Sequence, residues 1–189
     1  MNRTDILVER FARYIALPWQ NHLSGAQRVI FIVYDKTDER RLRARKALFE
    51  IATKNADHGW IECDLTNAFA QWMANAEYRE SYFESPKDLE LKLESDFLDY
   101  VSSSIRDVLE SPEADENTVV SISGVASLFG FVRVSEIMEE IERDIRGRVV
   151  VFFPGEYENS IYRLMDARDG WNYLAVPITI QEERGEYTV

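Results

Sequence analysis

The chain has 189 residues, the length of one domain. Its 34 acidic against 22 basic residues give a formal charge of −12, which opposes a general nucleic-acid coat because it repels phosphate at long range. An apolar content of 46% excludes wholesale disorder, and a single cysteine excludes both a disulfide framework and a Cys/His zinc cluster.

The longest stretch without a charge, 117–132, has 16 residues with three serines and two glycines. A bilayer span needs roughly 20 mostly apolar residues, so this reads as a buried strand and turn. No signal-peptide core interrupts the charged residues Asp5, Glu9, Arg10 and Arg13, and the expected compartment is the bacterial-type cytosol, where a lone thiol stays reduced. No membrane association is expected.

In chain order, residues 4–15 predict an amphipathic helix with Leu7, Phe11, Tyr14 and Ile15 on one face, stopped by Pro18. Residues 1–27 are therefore an N-terminal helix and connecting segment. Arg28-Val-Ile-Phe-Ile-Val-Tyr34 reads as a strand buried on both faces, as in a parallel sheet. Residues 38–55 predict a helix with two apolar sides. Ala44, Ala47, Leu48 and Ile51 are expected on the sheet, while Leu42 and Phe49 need a second cover, either the N-terminal helix or a partner. Trp60-Ile-Glu-Cys-Asp64 is the second strand, and 65–111 is mainly helical, with a helix start at Ser85-Pro86 and apolar residues at 89, 93, 97, 101 and 105.

A third strand, 118–123, precedes the glycine-flanked turn 124–130. A helix over 134–145 is expected to be capped near Ser135 and closed at Gly147, before a fourth strand at 148–153. Beyond Pro154-Gly155, segments 161–165 and 171–176, joined at Asp169-Gly170, predict a β-hairpin. Residues 180–189 read as a frayed polar tail. The alternation predicts a single α/β domain over 1–189: a mostly parallel three-layer sheet with flanking helices, P-loop/Rossmann-like topology without a competent phosphate loop, and a C-terminal β-hairpin. Charge is polarised along it, with 13 acids and four bases over 77–116 against seven bases and three acids over 28–46.

Ligands of open parallel sheets sit beyond the carboxyl ends of the strands. Asp35, Asp64 and Glu156 fall there and could hold Mg²⁺, a hard cation that prefers oxygen ligands. The plainer reading is that these acids cap helices and solvate loops. Ser123-Gly-Val-Ala-Ser-Leu-Phe-Gly130 occupies the place of a phosphate loop but lacks the lysine, and its glycines are spaced one residue too far. Ser127 is not in a nucleophile elbow, Cys63 reads as a core thiol despite nearby His58, and His22 has no partner. No catalytic residue is assigned and no cofactor is expected.

The basic run 40–46 interleaves with apolar positions and reads as a solvated, partly ion-paired helix in preference to a DNA contact. Tyr157, Arg168 and Trp171 are residue types enriched at interface hot spots. They could equally pack back onto the sheet. Candidate partner-binding residues are Arg41, Leu42, Arg45, Phe49, Glu156, Tyr157, Arg168 and Trp171.

Several strings resemble the BrxB family of bacteriophage-exclusion (BREX) defence systems. They are Arg28-Val-Ile-Phe-Ile-Val-Tyr-Asp35 with Asp38-Glu-Arg-Arg-Leu-Arg43, His58-Gly-Trp60 with Asp64-Leu-Thr66, Gly124-Val-Ala-Ser-Leu-Phe-Gly-Phe131, and the blocks 151–159 and 166–177. The resemblance runs nearly end to end. It implies a non-catalytic accessory subunit working beside a large ATPase, an adenine-specific DNA methyltransferase and PglZ, a protein of the alkaline-phosphatase superfamily, with PglZ the foremost partner. No active-site residues carry over from it. The alternative is a metal-dependent phosphoesterase or nucleotide-binding enzyme using the strand-end carboxylates. Direct DNA binding through 40–46 is a third possibility, and homo-oligomerisation is left open.

Overall fold

A computed structural model describes residues 2–181. An interior strand of its sheet is β1 (Val29–Tyr34), every residue of which is buried. Parallel neighbours flank it, β4 (Arg148–Glu158) on one side and β7 (Val176–Ile178) on the other. Beyond β4 lie β3 (Thr118–Ser123) and β2 (Gly59–Asp64), giving the parallel order β2-β3-β4-β1-β7. Antiparallel strands β5 (Ile161–Leu164) and β6 (Trp171–Asn172) extend from β4. The predicted α/β class holds, with a mixed sheet that is parallel at its centre.

Strand alternation divides the core into two halves. Val29, Phe31 and Val33 face one side with Val120, Ile122, Val149, Val151 and Phe153; there they meet α6 (Leu98–Leu109) and α7 (Val134–Ile141). Ile30, Ile32 and Tyr34 face the other side, against α1 (Arg3–Ile15) and α2 (Glu39–Asn55). Helices therefore cover both faces of the parallel sheet, the usual arrangement for strands that are apolar on both sides.

At the start of α1, the Asn2 side chain accepts from the Thr4 amide and Asp5 accepts from the Asn2 amide. Leu7, Phe11 and Ile15 are buried as expected. The assignment of faces on α2 is reversed. Leu42, Phe49 and Thr53 are interior, whereas Leu48 and Ile51 are 39% and 51% exposed. The partners decide between the two apolar sides, because aromatic rings from α1 and β4 give Phe49 a matching site. Phe49 packs between Phe11 at 5.4 Å and Phe152 at 5.1 Å, so its cover is the chain's own N-terminal helix.

The crossover from β2 to β3 contains α3 (Ala68–Ala74), α4 (Arg79–Glu84), α5 (Lys87–Lys92), a π-helical turn at Leu93–Phe97, and α6. The predicted helix from Ser85 is thus broken by a wider turn. Apolar residues every fourth position drift by roughly 40° per step on a regular α-helix. A π turn lags and restores Phe97, Val101 and Ile105 to the core face. Downstream, α7 ends at Ile141 rather than 145 and starts after Arg133, so Ser135 is not its cap.

The hairpin differs most from expectation. β4 runs five residues past Phe153 and pairs with β5 through a two-residue turn, Asn159-Ser160, both at positive φ (51° and 64°). That left-handed pair matches the twist of the strands it joins. The expected pairing of 161–165 with 171–176 reduces to Ile161↔Asn172 and Tyr162↔Trp171, because Val176 leaves to join β1 as part of β7. Of the expected frayed tail, 182–189 lie outside the described residues, whereas the carbonyl of Gln181 accepts a hydrogen bond from Arg10 at 2.7 Å, as does that of Thr179 just before the tail at 2.6 Å.

Candidate functional site

The carboxyl ends of β1 to β4 converge on a cavity of about 160 Å³ lined by Tyr34, Glu39, Arg43, Lys46, Asp64, Thr66, Ser123 and Gly124 among others. Two loops of the same design follow β1 and β2, and the second of them lines the cavity. After β1, the Asp35 carboxylate accepts from the Thr37 amide (2.8 Å) and hydroxyl (2.5 Å). After β2, the Asp64 carboxylate accepts from the Thr66 amide (2.9 Å) and hydroxyl (2.6 Å). Asp-x-Thr following a strand is a recognisable local turn in which the side chain replaces a backbone acceptor. Sequence reading found the aspartates and missed the threonines.

These bonds hold both carboxyls below the usual carboxylate range. For Asp35 the cause is the Thr37 hydroxyl and then its amide. For Asp64 burial is the largest influence and pushes upward, but the Thr66 hydroxyl and amide with Lys46 and Arg43 together outweigh it. From Asp64 a polar chain continues inward. Arg43 lies 3.4 Å from the Thr66 hydroxyl and donates to Glu39 at 2.6 Å, and Glu39 accepts from the buried Tyr34 hydroxyl. Burial first, and that bond second, push the tyrosine's pKa up, so it stays a donor.

Gly124 closes the cavity wall at φ +81°. A Cβ there would sit 2.4 Å from the Thr66 amide nitrogen and 2.9 Å from Asp64, so the loops after β2 and β3 fit only around a glycine. The cavity is smaller than the roughly 300–1,000 Å³ of ordinary ligand pockets. Asp35, Asp64 and Glu156 do not form a metal-holding group, and none is found among the described residues. Glu156 lies on the part of β4 that has left the parallel sheet, opposite Arg163, which is why it does not join the two aspartates.

The other candidates divide by burial. Leu42 and Phe49 are interior and present no surface, which corrects their place among the partner-binding residues. Arg41 pairs with Asp38 at 3.2 Å and Arg45 pairs with Asp5 of α1, so the basic flank is largely ion-paired. Tyr157 packs on Tyr162 at 4.5 Å, and Trp171 lies edge-on to Phe31 and Phe153 at 5.9 and 5.8 Å. The hairpin aromatics thus pack largely onto the sheet. Arg168 is exposed and, with the half-buried Trp171, lines an open groove of about 700 Å³ beside the start of α7.

Cys63 is buried on β2; burial, then the charge of Asp64, pushes its thiol up to about 11, as expected of a core thiol. His58 stacks on Trp19 at 3.8 Å, with its Nδ1 2.6 Å from the Asn117 side-chain oxygen. The same Trp19 ring lies under the buried guanidinium of Arg148, which donates to the carbonyls of Gly147 and Gln20 at 3.0 and 3.2 Å. This clasp at the amino-terminal edge of the sheet was missed, since nothing in the spacing of 19, 58 and 148 signals it.

Fold and site together define a parallel-centred α/β domain whose strand-end carboxylates are held by their own loops, with a small polar cavity beside Asp64. The family model described as "BREX protein BrxB" matches residues 61–178, more than half of the chain. The chain belongs to the BrxB family and is a component of a BREX defence system. No curated protein and no solved structure matches it. No helix among the described residues is long and apolar enough to cross a membrane.

Proposed function

We propose that the chain is a non-catalytic accessory subunit of a cytoplasmic BREX complex and works by binding partner proteins, a PglZ-like protein first. The observation that carries the reading is the engagement of Asp35 and Asp64 by Thr37 and Thr66, which turns the acids best placed for chemistry into loop fasteners. Membership of a multi-component defence system supports it. β1 passes to α2 through the four residues 35–38, none of them a glycine, so this loop lacks the glycines with which a phosphate loop brings backbone amides close to its ligand.

Co-expression of the tagged chain with PglZ, the ATPase and the methyltransferase of its own system tests the proposal. Stable co-purification with PglZ at moderate salt is expected, and failure to retain any of the three would sink it. One observation favours a second reading: Arg43 and Lys46 bring two cations to the strand-end cavity, as a nucleotide phosphate would require. Calorimetry with Mg²⁺, Mn²⁺ and nucleotides decides; measurable heat would favour an enzyme or nucleotide sensor, and none would remove it.

A further inference from the structure

The helices α4 and α5 contribute no buried residue to the fold. They pack on one another and display the most exposed large apolar side chains of the crossover, with Tyr78, Phe83 and Leu91 at 61%, 65% and 77% exposure. Single exposed apolar residues are ordinary, but three on one adjoining pair of short helices and the residue before it, none anchoring the interior, are not. Their surroundings are strongly acidic. Over 77–99, Arg79 pairs with Glu80 and Lys92 with Asp96. Among the described residues that leaves Glu77, Glu84, Asp88, Glu90, Glu94 and Asp99 without an ion-pair partner, against Lys87 alone.

We propose that this arm, Tyr78 to Leu91, is the docking element of the subunit, and that its partner is a protein presenting an apolar groove rimmed by lysine and arginine. The apolar side chains would supply the desolvated centre and the six acids a charged border that sets orientation. A second copy of this chain fits less well. Its basic face is α2, where Arg41, Arg43, Arg45, Lys46 and Lys54 are each already paired with an acid, leaving only Arg40 unpaired on that helix among the described residues. The partner must therefore bring its own cations. The π turn at Leu93–Phe97 joins the arm to α6, so the arm's register is set apart from that of the core helix.

This inference rests on the assembly reading above, and the test separates the two. The full-length chain, its Phe83→Ser/Leu91→Ser variant, a Glu84→Lys/Glu90→Lys variant and a Leu48→Ser/Ile51→Ser control on α2 are each co-expressed with PglZ, and thermal melts confirm that each is folded. Wild type and the α2 control are expected to retain PglZ, while both arm variants lose at least about tenfold in apparent affinity. Arm variants that bind as well as wild type overturn this proposal and leave the assembly reading standing. A wild-type chain that retains no PglZ overturns this proposal, and one that retains neither PglZ, the ATPase nor the methyltransferase overturns the assembly reading as well. Loss in the apolar variant but not in the charge-reversed one overturns the basic rim. Wild-type self-association abolished by the arm variants would assign the surface to a second copy and overturn the partner named here.

Discussion

At Gly124 the backbone and the packing make the same demand. Gly124→Ala must place a methyl against the Thr66 amide at a left-handed φ, and a loss of about 2 kcal/mol or more is expected in urea unfolding, with the fold retained. The Asp64 carboxyl gives a pH signature. Its folded pKa lies below the unfolded one near about 4, so its stabilisation is present above that value and fades as pH falls through the lower folded value. Asp64→Asn should flatten the acid limb of the stability profile; an unchanged limb in denaturant titrations from neutral pH downward would refute the role assigned to Thr66. With its pKa pushed up to about 11, Cys63 should react slowly with a disulfide reagent at pH 8 in the folded chain and rapidly in denaturant. At this scale the sequence shows residue types clearly. Asp35 and Asp64 stood out, but which way a carboxylate turns depends on a threonine two residues on.

Among the elements, α2 shows why an apolar pattern can be read and still be oriented wrongly. Two opposite sides were visible, and the choice between them was made by Phe11 and Phe152, residues far away in sequence. Phe49→Ala should cost about 3–5 kcal/mol, whereas Leu48→Ala or Ile51→Ala should stay within about 0.5 kcal/mol; chemical denaturation compares them directly. β1 to β4 were legible because strands buried on both faces are continuous apolar runs. The extension of β4 and the short β7 were not, since each depends on a partner strand rather than on its own pattern. The π turn was visible only as a four-residue spacing that a regular helix could not have kept in phase.

For the whole molecule, the strand order was the least legible feature, as pairing between distant segments leaves no mark on local composition. That order makes a firm prediction. The family match begins at residue 61, yet β1 lies between β4 and β7. A polypeptide limited to 61–178 would lack the strand that both need and should show no cooperative melting transition by circular dichroism, whereas 2–181 should. The interior position of β1 also matters during synthesis. Val29–Tyr34 leaves the ribosome well over a hundred residues ahead of β4, its first strand neighbour, which starts only at Arg148. At about 5–20 residues per second that interval is on the order of ten seconds. For that time an apolar β ribbon has α1 and α2 available to shield one face and nothing to shield its edges, so the nascent chain should depend on holding chaperones far more than the finished protein does.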